Sequence, residues 1–204
     1  SLNWFTYIWA VNSGYIVEVS LGYFISPLIN IVLALVFLKE KLRRWQIIAI
    51  GIAALGVVYL TVSYGIFPWI SFTLALTFGF YGLFRKTGSL NSLEGLSFEI
   101  GFMFIPAIFY LLFLEMNGDG SFGHINFYKN ILLILSVFVT AFPLLLFAAA
   151  ARRINLSTVG ILQYITPTMQ FFLGVFLYKE EFNKERLIGF IFIWLALITY
   201  LIEG

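Results

Sequence analysis

The sequence predicts an all-α integral membrane protein of eight transmembrane helices arranged as an inverted repeat. Three observations carry that expectation. Of 204 residues, 61% are hydrophobic and 11% charged, against roughly 25% charged in ordinary soluble domains; the mean hydropathy is +0.98. Apolar runs near the ~20 residues needed to cross a bilayer recur along the chain. Finally, the chain resembles itself. Moving VEVSLGYFISPLINIVLALVFLKEKLRR (17–44) by 140 positions onto STVGILQYITPTMQFFLGVFLYKEEFNK (157–184) lays Pro27 on Pro167, Ser26 on Thr166, Leu33 on Leu173, Lys39 on Lys179 and Glu40 on Glu180.

Taken in order, the spans are expected at 2–13, 17–38, 44–63, 68–85, 92–114, 128–151, 156–178 and 185–202. The first is short. Pro68 followed by Trp69 reads as a helix start with an interfacial aromatic. Only EMNGDGSFGHINF (115–127) is long and Gly-rich enough to be a true loop. Taking connections alternately, one side receives Lys39, Lys41, Arg43, Arg44, Arg85, Lys86, Arg152 and Arg153. The other receives Lys129, Lys179, Lys184 and Arg186. Eight basic residues against four make the first side cytoplasmic. The two Lys-Glu turns then fall on opposite faces, so the repeats are inverted, and an even helix count puts both termini in the cytoplasm.

Composition also excludes function classes. There is no cysteine and a single histidine, His124, so neither a disulfide framework nor a Cys- or His-based metal site is available. The net charge of +2 is too small and too dispersed for nucleic-acid binding. Phosphate-binding Gly-rich loops, HExxH and GxSxG are absent. No cofactor is expected, and no enzyme. An intramembrane enzyme would need clustered carboxylates or Ser-base pairs at membrane depth, where Glu99 stands by itself.

A repeat in an apolar chain is the pattern of a transporter with two related halves, its substrate site at their interface. Tyr23, Pro27, Asn30 and Ala34 share one face of the repeated helix. Their repeat partners Gln163, Pro167, Gln170 and Gly174 do the same. A membrane proline frees a carbonyl, tolerated only beside protein or water. The functional reading sets the two stripes across a substrate cavity, with Pro27 and Pro167 as kinks or hinges. The plainer one makes them packing surfaces, with Asn and Gln bonding between helices.

Glu99 lies about eight residues into its helix, roughly 12 Å deep at 1.5 Å per residue. Its insertion as an anion costs ~2.5–3.5 kcal/mol. It should therefore be paired, neutral or hydrated, and is a candidate for proton coupling or cation recognition; a hydrogen-bonded structural Glu is the alternative. Glu18 opens the repeated helix, suited either to capping it or to substrate contact. Glu94 after Asn91 reads as a capping box. Glu40 and Glu180, beside lysines, read as interfacial ion pairs, and Arg152 and Arg153 as orientation anchors. Tyr7, Asn12, Tyr81 and Tyr164 complete the candidate substrate-binding set, Tyr164 gaining weight from LQYITPT. Trp4 and Trp9 could also stack on a flat ligand. Gly79 and Gly82 suit close helix approach.

The segments NWFTYIWAVN, EVSLGYFISPL, FPW, FGFYGLFRK and LQYITPT, in this order, resemble the RarD-like branch of the EamA-type drug/metabolite transporters, and the likeness covers essentially the whole chain. That resemblance implies a ten-helix fold of two inverted five-helix halves. Residues 1–64 would be the last three helices of the first half and 65–204 the complete second half. The chain, starting at Ser1, would lack two preceding helices. It implies a secondary transporter, a permease or exporter of a small metabolite or drug-like molecule, in a bacterial inner membrane. Expected partners are the bilayer, a small-molecule substrate and, as a candidate coupling ion, the proton; homodimerisation is left open. The competing expectation is a non-transporting fragment or scaffold that needs the missing helices or a partner.

Overall fold

The computed structural model describes residues 2–65, 67–177 and 184–202. Among these the regular elements are all helical: α1 (Leu2–Asn12), α2 (Ile16–Phe37), α3 (Arg44–Tyr64), α4 (Trp69–Thr87), α5 (Ser92–Met116), α6 (Phe127–Arg153), α7 (Leu156–Gln163), α8 (Ile165–Phe172) and α9 (Lys184–Leu201). With α7 and α8 counted as one broken rod, they form the eight rods expected. Four of them, α2, α3, α5 and α6, are long and apolar enough to cross a membrane, and α9 contributes a shorter apolar stretch, Leu187–Leu201.

The seventh rod departs from the continuous span read from the sequence. It breaks at Tyr164 and ends in a π-helical turn, Leu173–Leu177. Pro167 supplies the reason. It has no N–H for the carbonyl four residues back, on Gln163, and its ring crowds that carbonyl. Tyr164 N–H instead turns back to Ile161 O at 3.1 Å, tightening the last turn of α7. Pro27 has the same chemistry, yet α2 runs unbroken through it.

Packing divides the chain into two compact units, residues 1–84 with 154–204, and residues 85–153. They are units of contact and do not test the 1–64/65–204 division, which the family resemblance implies. In the first unit the most extensive pairings are α3 with α9 and α2 with α7. Lipid tails are as apolar as leucine, so helices in a membrane gain from close contact rather than from leaving water. Small residues let the backbones approach. Ala49 and Ala53 of α3 are fully buried against Ile193 and Ala196 of α9, and a Cβ on Gly56 would stand 2.7 Å from Phe192 Cβ. This small-residue seam, not singled out in the sequence, is used inside the chain. On α4, a Cβ on Gly79 would meet Ile29 Cγ2 at 2.8 Å and Leu33 Cδ1 at 2.9 Å, so the glycine of FGFYG seats α2. α1 joins through Ala10, packed with Val19, Ile70 and Leu74.

The second unit is the α5–α6 hairpin with its flanking turns. Asn91 and Glu94 form the capping box read from the sequence: Glu94 N–H donates to Asn91 Oδ1 at 2.8 Å and Asn91 N–H to Glu94 Oε2 at 3.0 Å. Arg152 does more than anchor orientation. Its Nη1 donates to the carbonyls of Gly88 at 2.7 Å and Leu90 at 2.6 Å, holding the turn between α4 and α5. In the long loop His124 is exposed and its Nε2 lies 2.7 Å from Glu115 Oε1. The apolar side chains of α5 and α6 remain largely exposed, as suits rods whose solvent is lipid.

The closest backbone approach between α2 and α7 is at Gly160, where a Cβ would lie 2.8 Å from the Pro27 carbonyl oxygen. Overpacking of this kind costs about 1–3 kcal/mol. Gly160→Ala is therefore expected to lower the thermal midpoint in detergent. Gly101→Ala, whose Cβ would meet nothing within 4 Å, should leave it unchanged or raise it slightly. Equal midpoints for the two variants would remove the close crossing from this account.

Candidate substrate site at the α2–α7 crossing

The site is built on α2, because that helix carries the polar side chains and is held at both ends. At its first turn Glu18 is 5% exposed. The sequence suited it either to capping its own helix or to substrate contact; the carboxylate bonds to the start of α4. Glu18 Oε2 accepts from the Ile70 N–H at 3.3 Å and Oε1 from the Tyr64 hydroxyl at 3.4 Å. Ser71 Oγ donates to the Glu18 carbonyl at 2.5 Å. A carboxylate at a helix N-terminus offsets the unpaired N–H groups and the positive end of the dipole. Tyr7 and Tyr23 pack against the neighbouring Ala10–Val19–Ile70–Leu74 cluster.

One face further along, the two repeat stripes touch. Pro27 and Asn30 are fully buried. Asn30 Nδ2 donates to Gln163 Oε1 at 2.6 Å, joining α2 to the last residue of α7 beside the Gly160–Pro27 approach. Asn30 Oδ1 is buried without a hydrogen-bond partner, as is the Tyr164 hydroxyl. An unpaired buried polar group costs on the order of 1–3 kcal/mol. Both groups carry that cost. Tyr164 points away from this pair, into the core made with Ile31, Ala49, Ala53 and Ile193. Pro167 is buried, whereas its helix neighbour Gln170 is exposed.

The other candidates lie elsewhere. Asn12 is exposed and donates to Ile8 O of its own helix at 2.9 Å. Tyr81 is half-buried beside Phe78, ring centroids 6.0 Å apart. In the second unit Glu99, of the paired, neutral or hydrated states open to it, is paired: Arg85 Nη2 lies 3.0 Å from Glu99 Oε2, the guanidinium 7% exposed and the carboxylate 48%. The Arg85 side chain passes over Gly95, where any Cβ would collide with it.

Sequence reasoning missed the second clasp on α2. Glu40 was read as an ion pair with neighbouring lysines. Its carboxylate instead accepts from Leu156 N–H at 2.8 Å, Ser157 N–H at 3.1 Å and Ser157 Oγ at 2.7 Å, capping α7. Lys39, at φ 52°, turns the chain so that this can happen. The signal available in the sequence was the Asn155-Leu156-Ser157 helix start, whose orphan N–H groups need an acceptor. Glu180, read in the same way as Glu40, lies outside the described residues.

Comparison with known proteins fits this architecture. The EamA-like transporter family model matches residues 1–62 and 67–202. The chain is 47% identical over 98% of its length to an uncharacterized transporter, YojE, of Bacillus subtilis, covering 66% of that protein. It is 43% identical over 97% of its length to the protein RarD of Streptomyces exfoliatus, covering 63%. A Pseudomonas aeruginosa relative named chloramphenicol-sensitive protein RarD is 31% identical, with 97% of this chain and 65% of that protein aligned. The chain thus spans about two thirds of the length of these relatives. No solved structure matches it. Apolar rods, a seventh helix broken before its proline and a family match along nearly the whole chain lead to one conclusion: this chain belongs to the EamA-like transporter family.

Proposed function

We propose that the chain is the core of a secondary transporter that moves a small metabolite or drug-like molecule across a bacterial inner membrane by alternating access. The observation that carries the reading is the Asn30–Gln163 bond between repeat-related rods, with Asn30 Oδ1 left open to a donor. Polar groups buried inside a membrane protein mark substrate and ion pathways, and inverted-repeat transporters bind where their repeats meet. A substrate bearing N–H or O–H groups would satisfy Asn30 when the rods part, with Tyr7, Tyr23 and Gln170 as further contacts. The break at Tyr164 gives the seventh rod a place to bend. Residues 1–64 and 65–204 act here as parts of two inverted halves, with both termini cytoplasmic. Glu99, paired with Arg85, is the candidate for proton coupling. The span of about two thirds of the relatives' length favours one second reading: a fragment or scaffold that transports only when complemented.

Purified protein in liposomes tests this, with labelled chloramphenicol, an amino acid, a sugar and a cationic drug as tracers. At least one tracer should enter faster than into protein-free vesicles; none doing so sinks the transport reading in favour of the scaffold. For that tracer, Asn30→Ala and Gln163→Ala should each lower the rate about tenfold, equivalent to ~1.4 kcal/mol, with the gel-filtration profile unchanged. Glu99→Gln should abolish acceleration by an imposed pH gradient; an intact response would remove Glu99 from coupling.

A further inference from the structure

The repeat makes a second contact foreseeable. A pseudo-two-fold that exchanges α2 with the α7–α8 rod sends each contact between them to a partner contact 140 residues away on each side. The bonded pair Asn30–Gln163 maps onto Gln170 and Tyr23, and the structure treats these two pairs differently. Leu156 and Ser157, which face α2, are 0% and 2% exposed, while their counterparts Ile16 and Val17 are 59% and 46% exposed. Gly160 abuts the Pro27 carbonyl; its counterpart Ser20 is exposed and bonds to Ile16 O of its own helix at 2.9 Å. Gln163 is bonded to Asn30, yet Gln170 is exposed and Tyr23 packs with Tyr7 beside the Ala10–Val19–Ile70–Leu74 cluster. Among the described residues, which do not include Glu180, the repeat counterpart of Glu40, one end of the crossing is zipped and the symmetry-related end is not.

We propose, resting on the alternating-access reading above, that the transport cycle exchanges these two pairs. In the second state Tyr23 hydrogen-bonds Gln170 and the Asn30–Gln163 bond is broken. Tyr hydroxyl with Gln amide is a competent pair in either direction. Glu40 is the latch that holds the present state. Its three bonds to the start of α7 lie at the zipped end, so they must release when that end opens. The left-handed backbone at Lys39 is strain held in the closed latch, of the sort that collects at switch regions.

The chain has no cysteine, so an engineered pair reports without background. Tyr23→Cys with Gln170→Cys is treated with a short homobifunctional thiosulfonate in proteoliposomes, and the cross-linked fraction is compared with Glu40 intact, with Ser157→Ala and with Glu40→Ala. The exchange predicts a low yield with the latch intact, at least fivefold more with Glu40→Ala, and an intermediate yield with Ser157→Ala, which removes one bond of three. The matching pair Asn30→Cys with Gln163→Cys should change in the opposite direction. Equal yields in all three backgrounds, or no cross-link in any, overturn the proposal. Should Glu40→Ala fail to fold, Ser157→Ala decides. The readout needs no substrate, so a silent transport assay and a flat cross-linking result are separate failures.

Discussion

The constraint on which the fold depends is that α2 and α7 cross with almost nothing between their backbones. Gly160 makes this possible, because any side chain there would strike the Pro27 carbonyl. Once the rods are that close, Asn30 has Gln163 within reach and becomes sealed from both lipid and water. A polar pair in such a place is a compromise. It gives the crossing a defined register, but leaves Asn30 Oδ1 unsatisfied. Apolar side chains of the same size would avoid that cost.

Carboxylates then fix the ends of α2, each on another helix's N-terminus: Glu18 on α4 and Glu40 on α7. This solves two problems at once. Buried charge is expensive in a membrane, and helix N-termini carry orphan N–H groups; each supplies what the other lacks. In the second unit Arg85, in the last turn of α4, instead forms an ion pair with Glu99, about two turns into α5. By contrast, α3 and α9 meet through alanine and glycine with few polar side chains. The molecule therefore combines an apolar seam with a rod tied by polar clasps, and clasps of this kind can open one at a time.

Much of this was legible in the sequence. Hydropathy located the rods, Pro68–Trp69 marked the start of α4, and Asn91 with Glu94 gave a capping box that the structure reproduces. The repeat singled out Pro27, Asn30 and Gln163, which meet at the crossing, but not Gly160, which lets them do so. The break at Tyr164 was not legible, because Pro27, Pro106 and Pro143 lie inside unbroken helices, so proline by itself does not say which rod gives way. The bonds of Glu40 to α7 were not legible, since adjacent lysines offered an obvious local partner and these partners are 116 and 117 residues away. For Glu99 the physics left a paired, neutral or hydrated carboxylate open and named no partner; the absence of a Cβ at Gly95 opens the route for Arg85.

The central claim is that the α2–α7 crossing is a breakable contact between two repeat-related rods and not a permanent core. It is tested most directly by pulsed electron paramagnetic resonance with spin labels at Leu38→Cys and Asn155→Cys, in the two segments joined by the Glu40 clasp. A distance distribution with two populations, the longer one growing when Glu40 is replaced by alanine, is what the account predicts. A single narrow distance, unmoved by that replacement, would contradict it.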